Sequence, residues 1–132
     1  MFSEAITQPN FRRSAAFKGA EFKAAPRKRL TPADRLRDAL MQLAGGHGTI
    51  TAHAERNWAS ITFAGTRHQV TVLFDGEDAV EAGESFIAFL PEHDFAIPGQ
   101  LVADAAVVEV DHRLAPAPLM VVQVEVLLLE ES

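Results

Sequence analysis

The chain has no cysteine and no tyrosine among its 132 residues. Without cysteine there can be no disulfide, no thiolate zinc site and no cysteine nucleophile. This suits a reducing compartment, and the expected location is cytoplasmic. Long apolar runs are also missing. Those present are short, such as residues 127–129, and acids flank them, whereas a membrane-spanning helix needs about twenty apolar residues. No apolar stretch follows the early charges, so the pattern of a secretory signal is absent. There is no phosphate loop, no glycine-rich dinucleotide fingerprint, no Gly-x-Ser-x-Gly elbow and no His-Glu-x-x-His. The residues match no named motif, and nothing rises to a catalytic signature.

Lysine is scarce and confined. Lys18, Lys23 and Lys28 are the only three, and Arg12, Arg13, Arg27 and Arg29 lie in the same stretch. Against these cations stand Glu4 and Glu21, so residues 1–30 carry +5. Residues 31–132 hold five arginines and sixteen acids, a net −11, which returns the chain total of −6. The chain therefore reads as two parts, a disordered basic tail over 1–30 and a single acidic α+β domain over 31–132. An isolated helix in the tail would be marginal in water at that length. Phe11, Phe17 and Phe22 interleave with its cations, a mixture that can meet phosphates, bases or a lipid interface. The same composition suits an organelle transit peptide or a tail that only solubilises.

The domain begins sharply. Thr31-Pro32-Ala33-Asp34 places a hydroxyl at an N-cap, proline at the first helical position and an acid at the third. Leu36, Leu40, Leu43 and Ala44 repeat at helical spacing, and Gly45-Gly46 stops the helix. A helix is predicted over about 32–44. Three short strands follow. Ile50, Ala52 and Ala54 alternate with Thr49, Thr51, His53 and Glu55. Ala59, Ile61 and Phe63 alternate with Trp58, Ser60 and Thr62. Val70, Val72 and Phe74 close the meander, with Ala64-Gly65-Thr66-Arg67 as the hairpin turn between the last two. Over 77–90, Ala79, Val80, Gly83, Phe86, Ile87 and Leu90 share one helical arc with acids opposite, which predicts a second helix. Ile97-Pro98-Gly99-Gln100 fits a type II turn. Residues 102–112 and 119–130 read as strands, the last with Met120, Val122, Val124, Val126 and Leu128 on its buried face. So apolar a strand belongs inside a sheet or against a second copy across a two-fold axis, since a free edge would aggregate. The expectation is two layers. Two helices pack on one face of a mostly antiparallel five- to six-stranded sheet, in the order α-β-β-β-α-β-β.

The histidines are His47, His53, His68, His93 and His112. Gly45-Gly46-His47-Gly48 follows a helix and precedes a strand, the reverse of the order that aims amides at a phosphate. Glu92-His93-Asp94 and Asp111-His112 are the candidate acid–base residues, although neighbours on a strand point to opposite faces. No cofactor and no metal site is expected. Trp58, beside Arg56, is the candidate binding residue of the domain. Arg12, Arg13, Arg27, Lys28 and Arg29 are those of the tail. The reading that fits best is a small binding or accessory domain, more a non-enzyme than an enzyme. It would meet an unknown protein partner, a weak anionic partner through the tail, or a second copy as a homodimer. The alternatives are a small cofactor-free hydrolase or isomerase using His93 or His112, and an adaptor binding nucleic acid or lipid headgroups through the tail.

Overall fold

Thr31 caps the first helix in the computed structural model, which describes residues 30–131. The Thr31 hydroxyl accepts from the Asp34 amide at 3.1 Å, and the Thr31 amide donates to the Asp34 carboxylate at 3.1 Å. This reciprocal capping box satisfies two amides that the helix itself leaves unpaired. The reading of residues 1–30 as a disordered basic tail falls on residues that, apart from Leu30, lie outside those described. So do Arg12, Arg13, Arg27, Lys28 and Arg29.

Helix α1 (Pro32–Leu43) leads into strands β1 (Gly48–Ala59) and β2 (Ala64–Asp75). Helix α2 (Glu77–Phe89), a single 3-10 turn (Leu90–Glu92), β3 (Gln100–Arg113) and β4 (Leu119–Glu130) follow. All strand pairings are antiparallel, in the order β1-β2-β4-β3. The chain is thus two αββ units joined through their second strands. β4 lies inside the sheet, and β1 and β3 form its edges.

The sheet has four strands instead of five or six, because one predicted turn and one predicted strand are misplaced. β1 runs unbroken through Glu55, Arg56 and Asn57, and the hairpin turn falls at residues 60–63 instead of 64–67. The Ser60 amide donates to the Phe63 carbonyl at 2.7 Å, and the Phe63 amide donates to the Ser60 hydroxyl at 3.1 Å. The cause is position. β1 is an edge strand whose residues 54–57 are exposed, so no apolar alternation marks its course. Ile61 and Phe63, which imitate a strand, instead stand at the loop tip.

Both helices cover one face of the sheet. Leu36 and Leu40 of α1 and Val80 and Phe86 of α2 meet Val70, Val72 and Phe74 of β2 and Met120, Val122, Val124, Val126 and Leu128 of β4. The rings of Phe74 and Phe86 are tilted, 5.6 Å between centroids, a favoured aromatic arrangement. α2 can come this close because residue 83 is glycine. A Cβ there would lie 2.9 Å from the Phe74 ring.

Candidate functional site

One buried polar side chain interrupts this core. His68 is 2 % exposed, and it lies on the helix-covered face of β2, two residues before Val70. His53 and Glu55 of β1 reach the same face through a β-bulge. The register runs Ile50↔Val72 and then Ala52↔Thr71, so one extra residue shifts the phase of the strand. Beyond it, His53 stands opposite Val70 and Glu55 opposite His68. A bulge re-aims every later side chain.

The three side chains meet α1 through Arg37. Its guanidinium donates to His53 Nδ1 at 2.8 Å and pairs with Asp34. His53 Nε2 lies 2.9 Å from His68 Nδ1. Arginine can only donate, so His53 Nδ1 is an acceptor and its proton sits on Nε2. That proton is donated to His68 Nδ1, which leaves the His68 proton on Nε2. The result is a directed relay, Arg37 to His53 to His68, in which both imidazoles are neutral. Burial pushes His53 below the ordinary histidine range, and the Arg37 charge adds to this while Glu55 opposes it. Burial also lowers His68 against the pull of Glu55, with His53 and Arg37 contributing. One ring nitrogen of each histidine and one Glu55 oxygen lie within 4.8 Å of one another. Beside Glu55 and His68 opens a cavity of mixed lining, with Pro32 and Ala33 of α1 as well as Thr31, Glu55, His68 and Glu130.

The residues singled out from sequence sit elsewhere. His93 is exposed, with its ring edge-on to Phe95, and His93 and Asp94 border a groove along residues 100–105. His112 is exposed at the other end of β3, opposite Met120. Seven residues of strand, about 23 Å, separate it from Ala105. The fold does not bring His93 and His112 together. Asp111 forms an exposed ion pair with Arg113 at 3.2 Å. The β3 bulges fall at Val102/Asp104 and Val107/Glu109, so none turns Asp111 and His112 to one face.

Trp58 is half-buried on the helix-free face, in a row running through Gly65 and Leu129 to Leu101. The next row sets Arg56 beside Arg67, and Arg67 reaches Glu125 at 3.4 Å. Close to the Trp58 row the hairpin tip exposes Ile61 entirely and Phe63 by half. Phe63, Ala64 and Leu101 line a groove there with Glu130 and Glu131. No helix of the described residues is long and apolar enough to cross a membrane.

No protein-family model matches the sequence, and no curated protein matches it. Two solved structures are similar in fold. A chain of the virion of a native gene transfer agent particle aligns at 15 % identity with a TM-score of 0.45, over 76 % of this chain and 92 % of that one. The type 4 fimbrial biogenesis protein PilO from Pseudomonas aeruginosa aligns at 13 % identity with a TM-score of 0.37, over 74 % and 66 %. Neither likeness bears on function.

Proposed function

We propose that this is a partner-binding domain whose contact surface is the apolar tip of the β1–β2 hairpin together with Leu101. The observation that supports it is the exposure of Ile61, Phe63 and Leu101, at 103 %, 49 % and 48 %, at one end of the sheet. Scattered exposed apolar residues are ordinary, but a group of them beside a half-buried tryptophan has the composition of an interface centre. Glu130 and Glu131 rim the adjoining groove, so a partner with an apolar centre and cationic surroundings fits best. Residues 1–30, at +5, would act as a basic arm that adds charge-dependent contacts without fixing specificity.

The alternative, a hydrolase or isomerase using His93 or His112 with nearby carboxylates, has less behind it: His93 and Asp94 are exposed at the border of one groove, and Asp111, beside His112, is taken up in an exposed ion pair with Arg113. The adaptor reading rests on tail residues alone and finds no support in the domain.

The test is a double variant, Ile61→Ser with Phe63→Ser, compared with the full chain. Both sites are in a turn, so the melt should be unchanged. Binding partners recovered by cross-linking in the native source, or self-association seen by sedimentation, should be lost with the variant. Equal recovery by both proteins would overturn the assignment of the surface.

A further inference from the structure

The relay beneath α1 holds a second kind of site, independent of the hairpin surface. We propose that His53, Glu55 and His68 bind one divalent transition-metal ion of the zinc type, with an open coordination position facing the cavity beside them. This departs from the sequence expectation of no metal, which counted histidines along the chain and could not see the bulge.

Four observations carry it. The first is spacing. Two zinc–imidazole bonds at a tetrahedral angle hold their nitrogens about 3.3 Å apart, and His53 Nε2 and His68 Nδ1 already stand 2.9 Å apart. Parting the nitrogens by a few tenths of an ångström, and tilting each ring by roughly 35° so that both lone pairs converge, exchanges a shared proton for a shared ion. The second is the third ligand, a Glu55 oxygen within 4.8 Å of a nitrogen of each ring. Two imidazoles and a carboxylate are a zinc-competent set that leaves a fourth position for water. The third is positioning, because all three side chains project from two adjacent strands in continuous register from Ala52 to Ala59. The fourth is an unmet donor. His68 is 2 % exposed, and among the described residues nothing hydrogen-bonds its Nε2. The second nitrogen of a ligating histidine ordinarily donates to a water or an outer-shell partner, and His68 lines the adjoining cavity with Glu55, where a water can take that proton. The local charge agrees. Arg37 is offset by Asp34, while Glu55 and Glu130 both face the cavity, so a dication enters a net anionic setting.

Arg37 opposes the ion, and this gives the proposal a sharp test. A metal on His53 Nε2 forces the remaining proton onto Nδ1, where it would face the guanidinium N–H of Arg37. Arg37 must then release His53 and keep only Asp34. In Arg37→Gln, the amide oxygen can accept the Nδ1 proton, as an outer-shell partner of a ligating histidine does.

The experiment uses the full chain, stripped with chelator and titrated with Zn²⁺ by calorimetry and with Co²⁺ by visible absorption. One equivalent should bind, with a tetrahedral or five-coordinate Co²⁺ spectrum. Glu55→Gln and His53→Ala should each weaken binding by more than about tenfold, and Arg37→Gln should strengthen it. Neither Glu55 nor His53 is fully buried, so unchanged circular dichroism of those variants keeps the comparison valid. Zn²⁺ should raise the melting temperature of the parent but not of Glu55→Gln. Absence of a one-equivalent site would overturn the proposal. So would binding that survives both ligand variants, which would place the ion on exposed histidines such as His47, His93 or His112.

Discussion

His53 accepts a hydrogen bond from Arg37 on one ring nitrogen and donates one to His68 from the other. Both imidazoles must therefore be neutral, and the metal-free protein should show it as a pH dependence. Above pH 6.5, the ordinary histidine value, neither the folded nor the unfolded chain protonates these rings, and stability is full. As pH falls below that value the unfolded chain takes up protons that the folded pair resists. Stability then declines until pH passes the lowered folded values. The slope is at most about 1.4 kcal/mol per pH unit for each ring. The groups facing the pair are Arg37 and Asp34 from α1 and Glu55 from β1, with Glu130 across the cavity. Urea midpoints measured from about pH 8 to about pH 5 should fall with acidity, and His53→Gln should flatten the curve. A midpoint constant over that range would refute the neutral relay.

How much of this was legible in the sequence follows from where each residue lies. α1 was plain because Thr31, Pro32 and Asp34 act through their own backbone, with no tertiary help needed. The faces of β4 were plain because a central strand over a helical layer must alternate. His68 was half-legible. It shares parity with Val70, Val72 and Phe74, and that parity places it on the core face. His53 was not, since the alternation from Ile50 put it with Thr49 and Thr51. The bulge between Ile50 and Ala52 reverses that parity, and no glycine or proline announces it. The hairpin turn was missed for a related reason: exposed edge residues carry no burial pattern, so the alternation of Ala59, Ile61 and Phe63 imitated a strand and pushed the turn on to residues 64–67.

Gly83 should resist substitution even by alanine. In an exposed helix interior, glycine to alanine gains about 1 kcal/mol. Here the added methyl would sit 2.9 Å from Phe74 Cγ and Cδ2 and 3.3 Å from the Met120 sulfur. Phe74 is fully buried and packed on Phe86, so the ring has little room to yield. Overpacking costs about 1–3 kcal/mol, and the clash should win. Gly83→Ala should melt lower than the parent, and Gly83→Val lower still. A higher melting temperature for Gly83→Ala would mean that α2 shifts freely on the sheet.

Adjacent positions on β4 should differ sharply. Val124 is fully buried beneath the helices, and Gln123 is exposed on the helix-free face. Val124→Asp buries a carboxylate with no partner and should cost more than about 4 kcal/mol, enough to unfold a small domain. Gln123→Asp should stay within about 0.5 kcal/mol. Circular dichroism melts of the two variants decide this. Similar melts would reverse the assignment of the strand's faces.

A chain that begins at Leu30 should fold like the full one. The motive is local: the capping box of α1 is complete within Thr31 and Asp34, and the described core begins at Leu36. Removing a solvated arm should change stability by no more than about 0.5 kcal/mol. Loss of more than about 2 kcal/mol would show that residues 1–29 pack on the domain. Salt then identifies the kind of contact. The removed segment carries +5 and the remainder −11, so an electrostatic contact should weaken steeply as ionic strength rises toward 1 M, where screening reaches about 3 Å. An apolar contact through Phe11, Phe17 or Phe22 should not weaken. Urea midpoints of both chains at low and high salt therefore separate a free arm from a charge-held arm and from a packed one.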